Sequence, residues 1–185
     1  MRAVRAGMTG KKGKKSLLAL AAAGAVAAGL LTGPSAQAAQ PELYAVQTFA
    51  DLCFEMRAGT PGAAGAAADP ALVQESCSSM ANQQFEFLPS GSRLFQIRNL
   101  DTELCLDVRG ASTESGARVV GAPCGAAPSQ RFEVVQNIEG YEIRTFADKC
   151  LDVRGVSTTA GAPIVQSDCA LAKENQMFVI EVIQP

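Results

Sequence analysis

The chain has 185 residues, of which 48% are hydrophobic and 18% are charged, and it contains no histidine and no tryptophan. Residues 1–15 hold six of its 16 basic residues and no acidic ones, so the remainder carries ten basic against 18 acidic residues, a net charge of −8. An acidic surface of that size repels phosphate backbones and anionic lipid headgroups. Nucleic acid and membrane surfaces are therefore poor partners.

Residues 1–38 have the order of a secretory signal peptide. The basic stretch is followed by 17 residues, 16–32, that are rich in Ala, Leu and Gly, and then by the small residues of Ala36-Gln37-Ala38. A membrane anchor is the alternative, but an apolar run of this length lies at the short end of what spans a bilayer. No cysteine precedes Cys53, so we expect no lipid attachment at the signal. The leader also lacks the Arg-Arg pair of the twin-arginine export route. We expect cleavage after residue 38, secretion to the extracellular side and no membrane association of the mature chain.

One phrase occurs three times after this leader. Cys-Leu-Asp-Val-Arg-Gly stands at residues 105–110 and again, letter for letter, at residues 150–155, and a divergent copy occupies residues 53–59. Each copy is followed by a second cysteine and then by a Gln-x-Phe triplet, and the closing phenylalanines are 47 and 46 residues apart. Because a repeat constrains the whole architecture, it is the first feature to interpret.

Each repeat predicts about four short strands. The first is a run that alternates apolar and polar residues, the mark of a strand with one buried face. These runs occupy residues 44–48, 95–99 and 141–145. The cysteine phrase forms the second strand, with Leu106 and Val108 on one face and Asp107 on the other. An apolar pair before the second cysteine and the run that begins at the closing phenylalanine complete the unit. No stretch here has a sustained helical period, so we predict an all-β chain of twelve strands, the count of a β-trefoil.

The six cysteines admit 15 pairings in principle, and the repeat favours one of them. Cys105–Cys124 and Cys150–Cys169 are both separated by 19 residues, and Cys53–Cys77 is separated by 24. The longer gap contains residues 59–68, an Ala/Gly-rich stretch that indicates a surface insertion. We predict one disulfide per repeat, each contributing roughly 3 kcal/mol on the chain-entropy model. Because the chain lacks a Cys-x-x-Cys pair and histidine, we expect no metal and no cofactor.

The repeated phrase, the Gly-Ala-Ser-Thr-x-x-Gly-Ala loop after it, the second cysteine and the Gln-x-aromatic ending resemble the ricin-type lectin β-trefoil family, including its bacterial carbohydrate-binding modules. The resemblance covers residues 42–183, in repeats of about 42–90, 91–138 and 139–183. It implies one shallow sugar site in each repeat. In that family the Asp of Cys-x-Asp accepts hydrogen bonds from sugar hydroxyls, and an Asn-Gln pair adds polar contacts. An aromatic residue two positions before the second cysteine stacks on the sugar.

No repeat carries the complete set of these residues. The third has Ser167 and the second has Ala122 at the stacking position, and the second has Ser129 in place of the asparagine. The first has Glu55 in place of the aspartate and Glu75 at the stacking position. The third repeat is the most complete. The candidate carbohydrate-binding residues are Asp152, Asn175 and Gln176 in the third repeat and Asp107 and Gln130 in the second.

A purely structural role is the alternative for the acidic candidates. Asp107 lies two residues before Arg109, and Asp152 lies two residues before Arg154, so each acid shares a strand face with a guanidinium group. Such a pair could be a local salt bridge, which contributes about 0–1 kcal/mol when it is exposed.

Structural alternatives also exist for the glutamines and for two aromatic residues. Gln130 and Gln176 could hold the backbone rather than a ligand. Phe49 and Phe146 occupy matching turns next to the Cys-x-Asp strand and could replace the missing stacking surface, although we favour a role as lids on the core. The three closing phenylalanines are predicted to fill that core.

These patterns favour a secreted, non-catalytic, monomeric lectin that binds a glycan or polysaccharide. A single shallow site binds near millimolar, about 4 kcal/mol, and several sites on one rigid body raise the avidity for a polymer. The alternative is a protein-binding trefoil, such as a protease inhibitor or interaction scaffold, because the stacking aromatics are lost. An enzyme is disfavoured, since the acids that the repeats share, Glu55, Asp107 and Asp152, belong to different lobes and paired-carboxylate hydrolysis needs two acids within about 10 Å.

Overall fold

The computed structural model describes residues 41–59, 69–171 and 173–183, so the expected signal peptide and residues 60–68 of the insertion lie outside the described residues. The described chain forms twelve strands and five short 3-10 turns. The strands are β1 (Leu43–Thr48), β2 (Leu52–Arg57), β3 (Ala71–Ser76), β4 (Phe85–Pro89), β5 (Leu94–Asn99), β6 (Cys105–Val108), β7 (Val119–Ala122), β8 (Phe132–Asn137), β9 (Gly140–Arg144), β10 (Lys149–Val153), β11 (Ile164–Asp168) and β12 (Phe178–Ile183). This part of the chain holds no helix that is long and apolar enough to cross a membrane.

The antiparallel pairings form a closed ring and three hairpins. The ring runs β1–β4–β5–β8–β9–β12 and returns to β1, so each of its strands is paired on both sides. The hairpins are β2–β3, β6–β7 and β10–β11, and each continues from a ring strand of its own repeat. The all-β, β-trefoil prediction is confirmed.

The core is built from residues at equivalent positions of the three repeats. The closing phenylalanines Phe85, Phe132 and Phe178 are at most 1% exposed, as predicted. Leu106 and Val108 point inward with them, and both are fully buried. Phe49 and Phe146 are partly buried and pack against this core, the position expected of lids.

Each repeat is closed by its own disulfide, as predicted. The bonds are Cys53–Cys77, Cys105–Cys124 and Cys150–Cys169, and their Cα atoms are 4.9, 4.9 and 5.0 Å apart. In each case the bond joins the strand that carries the acid of the cysteine phrase to a cysteine one or two residues after the next strand.

Two fully buried glutamines fasten neighbouring repeats together. Gln166 on β11 donates from Nε2 to the carbonyl oxygens of Ser112 and Glu114, at 2.8 and 2.9 Å. Gln74 on β3 makes the same two bonds to Ser157 and Thr159, at 2.8 and 2.9 Å. At the equivalent position the second repeat has Gly121, where a Cβ would lie 3.0 Å from Met56 Sδ. We call each such pair of bonds a clasp. The clasp of Gln166 holds the loop after the cysteine phrase of the second repeat, and that of Gln74 holds the equivalent loop of the third.

Candidate functional site

In every repeat a 3-10 turn positions a glutamine whose side chain hydrogen-bonds the backbone on both sides of the second cysteine. In the second repeat Gln130 Nε2 donates to Pro123 O at 3.0 Å, and Gln130 Oε1 accepts from Gly125 N at 2.8 Å. In the third repeat Gln176 donates to Asp168 O and accepts from Ala170 N, both at 3.0 Å. In the first repeat Gln83 donates to Ser76 O at 2.9 Å and accepts from Ser78 N at 2.7 Å. The glutamines therefore hold the backbone around the disulfide, the alternative that the sequence had left open.

The same glutamines also orient the acids of the cysteine phrase. Gln130 Nε2 donates to Asp107 Oδ2 at 2.8 Å. Asp107 is half-buried, and among the described residues this is its one hydrogen-bond partner, so Oδ1 keeps its acceptor capacity. The carboxylate lies at a cavity of about 320 Å³ whose lining includes Asp69, Arg109, Ala111 and Ser129. The second repeat therefore presents an acceptor oxygen at an open cavity.

Arg109 does not pair with Asp107, as a local salt bridge would require. Its Nε lies 3.1 Å from Oδ2 of Asp69, a residue contributed by the first repeat just after the insertion. The strand ends at Val108 and Arg109 begins a 3-10 turn, in which Gly110 has a φ of 67°. Because the chain leaves the strand there, the face that Asp107 and Arg109 would share is lost.

In the third repeat the candidate acid is engaged by side chains of its own repeat. Asp152 is only 4% exposed. Its Oδ1 accepts from Asn175 Nδ2 at 2.7 Å, and its Oδ2 accepts from Gln176 Nε2 at 2.9 Å and from Lys173 Nζ at 3.0 Å. The structure therefore brings Asp152, Asn175 and Gln176 together, as the sequence indicated, but their polar atoms bind one another. The ion pair of Asp152 is with Lys173, so the proposed pairing with Arg154 is wrong.

The first repeat fills the equivalent position with an ion pair. Glu55 accepts from Gln83 Nε2 at 2.9 Å, and its other oxygen lies 3.7 Å from Arg57 Nε. The guanidinium group of Arg57 also binds Glu75, the residue at the stacking position. Arg57 thus bridges the acid position and the stacking position of the first repeat.

Among the described residues, hydrogen bonds displace the pKa values of two ionisable groups. Lys149 Nζ donates to Asp168 Oδ1 at 2.7 Å, and this bond lowers the pKa of the Asp168 carboxyl from its ordinary value. Tyr44 donates to Glu42 at 2.6 Å, and this bond raises the pKa of the phenol. Asp168 precedes Cys169, so its pairing fixes the end of the hairpin that carries Asp152.

A family model described as a ricin-type β-trefoil lectin domain-like domain matches residues 58–121 and 81–167 of the chain. A comparison with curated protein sequences gave no match.

Several solved structures share the fold. The designed three-fold symmetric protein ThreeFoil superposes with a TM-score of 0.67 at 23% identity, over 75% of this chain and 96% of that chain. An exo-β-1,3-galactanase from Clostridium thermocellum gives 0.69 at 21% identity, over 78% of this chain and 31% of that chain. The C-half of the earthworm R-type lectin, solved in complex with GalNAc, gives 0.59 at 17% identity, over 77% of this chain and 100% of that chain. At these identities the similarity establishes the fold alone.

Proposed function

Because the chain belongs to the ricin-type β-trefoil lectin-like family, we propose that it is a secreted glycan-binding protein whose best-formed site lies in the second repeat. Domains of this family are generally non-catalytic. Two similar structures were solved with sugars, the earthworm lectin with GalNAc and a Polyporus squamosus lectin with a sialylated epitope. These names support glycans as the class of ligand.

The proposal depends on the free acceptor oxygen of Asp107. Gln130 holds one carboxylate oxygen at 2.8 Å, and the other is available at a cavity of about 320 Å³. Vicinal sugar hydroxyls are donors that suit a carboxylate, and hydrogen bonds to ionised acceptors are the stronger kind. We assign Asp107 direct contact with the sugar and Gln130 a positioning role.

This cavity lacks the aromatic residue of the family and contains an ion pair. Ala122 leaves the stacking position without a ring, and the ion pair between Arg109 and Asp69 lies in the same cavity. A guanidinium group offers a flat face and several donors, so Arg109 can contact the oxygens of a sugar ring. We propose that Asp69 fixes Arg109 for this contact.

The other two repeats are closed forms of the same site. In the third, Lys173 binds the carboxylate of Asp152. We propose that Asp152, Asn175 and Gln176 bind sugar only after this lysine moves. In the first, Arg57 and its two glutamates fill the position of the ligand. One open site predicts weak binding of a single sugar, near millimolar or about 4 kcal/mol.

Secretion is part of the proposal. Three disulfides in one small domain are typical of proteins that fold in an oxidising compartment. The signal-peptide pattern of residues 1–38 agrees with that location. We propose a mature extracellular monomer that starts near residue 39.

A protein-binding trefoil remains the competing function. The observation that favours it is the first repeat, where Arg57 and Glu75 occupy the sugar position. If this function is correct, the substitution at Asp107 described next will leave binding to the protein partner unchanged.

The test is retention on a panel of insoluble polysaccharides that includes cellulose, chitin, xylan, pectin and β-1,3-glucan. At least one should retain the wild type, and Asp107→Asn should reduce retention by about tenfold or more, because the loss of a charged hydrogen bond costs about 1.5–3 kcal/mol. Asp101→Asn, at an exposed acid in the same repeat, is the matched control and should bind like the wild type. Equal retention of Asp107→Asn and the wild type would disprove the site.

A further inference from the structure

The trefoil has three clefts of a second kind, apart from the cavities beside the cysteine phrase. Each lies between the 3-10 turn that closes one repeat and the first turn of the next repeat. The residues that mark them are Ala81 with Asp101, Pro128 with Phe146, and Glu174 with Phe49. Since the three clefts share one backbone arrangement, differences among them come from their side chains.

A cross-strand pair at equivalent positions of the ring distinguishes the three clefts. The pairs in register are Glu86–Arg98, Glu133–Arg144 and Val179–Gln47. In the first pair, Arg98 Nε donates to Glu86 at 2.7 Å and Nη2 lies 2.6 Å from the same oxygen, so the two charges satisfy each other. In the second pair the arginine turns away, because Arg144 donates to Glu142 at 3.2 and 2.9 Å.

Glu133 is thereby left with a weak partner. The nearest cation in the described chain is Arg93 Nη1 at 3.7 Å, and the Arg93 side chain is 82% exposed. An exposed pair at this distance is screened by water and contributes little. The carboxylate of Glu133 therefore keeps acceptor capacity toward the cleft that it lines.

The second cleft also offers donors and an aromatic surface. It has a volume of about 360 Å³, and Arg131, Phe146 and Asp148 line it together with Glu133. Arg131 donates from Nη2 to Ala126 O at 3.2 Å, and its buried Nε has no partner among the described residues. Phe146 is only partly buried although it packs against the core. The equivalent third cleft has Met177 and Val179 in place of the arginine and the glutamate.

We propose that the cleft lined by Arg131, Glu133, Phe146 and Asp148 is a second glycan site, which binds a pyranose unit independently of Asp107. Carboxylates accept from hydroxyls, a guanidinium group donates to sugar oxygens, and the C–H face of a pyranose packs on an aromatic ring. The volume lies within the range of ligand pockets. This proposal rests on the proposed function in one respect, that the protein binds glycans.

A peptide is the less suitable occupant of this cleft. The common way for an extended peptide to bind a β-protein is to add to a free strand edge. The strands that line this cleft, β5, β8 and β9, belong to the closed ring and are paired on both sides. The apolar part of the lining is also small, and alternating charges surround it.

Two sites on one rigid body have a functional consequence. A polysaccharide that reaches both would be held with higher avidity than either site provides alone. Soluble monosaccharides would instead fill the two sites independently. The expected ligand is therefore a polymer or a branched glycan.

The test uses the polysaccharide panel above with Phe146→Leu and Glu133→Gln, each alone and combined with Asp107→Asn. Phe146→Leu should reduce retention about two- to tenfold, the range for one aromatic contact, and Glu133→Gln should act in the same direction. Phe49→Leu is the matched control, since Phe49 is equivalent in the third cleft, and it should bind like the wild type. Circular dichroism and thermal unfolding verify that each variant is folded. Asp107→Asn combined with Phe146→Leu should abolish retention.

The outcomes separate this proposal from the proposed function. If Phe146→Leu and Glu133→Gln bind like the wild type while Asp107→Asn is impaired, the second site is disproved and the first is retained. If only the cleft variants are impaired, the second site is supported and the assignment of Asp107 is wrong. If no polysaccharide retains the wild type, both proposals are overturned.

Discussion

Lys173 and Asn175 distinguish the third repeat from the second at the acid that the two repeats share. Lys173 Nζ binds Asp152 at 3.0 Å, and the equivalent residue of the second repeat is Ala127, which has no charge to offer. Asn175 adds to the difference, because it holds Asp152 Oδ1 at 2.7 Å and the equivalent residue of the second repeat is Ser129. The two side chains together determine whether the carboxylate is available to a ligand. The motif in the sequence ranked the third repeat first because Lys173 lies outside the motif.

Lys173→Ala should open the third repeat. It gives this repeat the residue found in the second and removes one charged partner from Asp152 Oδ2, so the variant should be retained on polysaccharide more strongly than the wild type. It should also restore part of the retention lost in Asp107→Asn. Lys149→Ala, which removes the other lysine of the third repeat, is the control. Binding isotherms that are identical for Lys173→Ala and the wild type would contradict the account of the closed site.

The residue scale also explains which candidate roles the sequence could not resolve. Asp107 and Arg109 lie two positions apart, which on a continuous strand would put them on one face. Whether the strand continues through Arg109 is a matter of turn geometry, and it ends at Val108. The partner of Arg109 is Asp69, which follows the insertion of another repeat. No local pattern contains that contact.

At the scale of elements, the clasps made by Gln74 and Gln166 connect hairpins to loops of neighbouring repeats. Each glutamine is completely buried and donates to two carbonyl groups. The sequence does carry a signal for them, because the same residue type recurs at one position of the first and third repeats. The sequence does not show what these glutamines bind, because the bonded residues are 83 and 54 positions away.

Gln166→Leu should destabilise the protein by about 2–3 kcal/mol. The substitution keeps the approximate volume but removes two hydrogen bonds and leaves the carbonyl groups of Ser112 and Glu114 without their donor. Urea unfolding measures this as a lower midpoint. Gln136→Leu, at an exposed glutamine of β8, should change stability by less than about 0.5 kcal/mol. Equal effects of the two substitutions would show that the clasp contributes nothing.

At the scale of the whole molecule, the repeats were sufficient to predict the fold. Period-two alternation located the strands, and equal cysteine spacing predicted the pairing that the structure contains. Symmetry also explains the core, since each repeat supplies its closing phenylalanine to it. The candidate site was less predictable, because the three copies differ in residues that lie outside the repeated phrase or come from a neighbouring repeat.

The most direct test of the account is an amide NMR titration of the wild-type protein. The ligand is a mixture of short oligosaccharides prepared from whichever polysaccharide retains the protein. We predict that the resonances of residues 107–111 and 120–122 shift with ligand concentration while the equivalent residues 152–156 of the third repeat stay in place. Shifts concentrated around Asp152, with none around Asp107, would contradict the assignment of the open site to the second repeat.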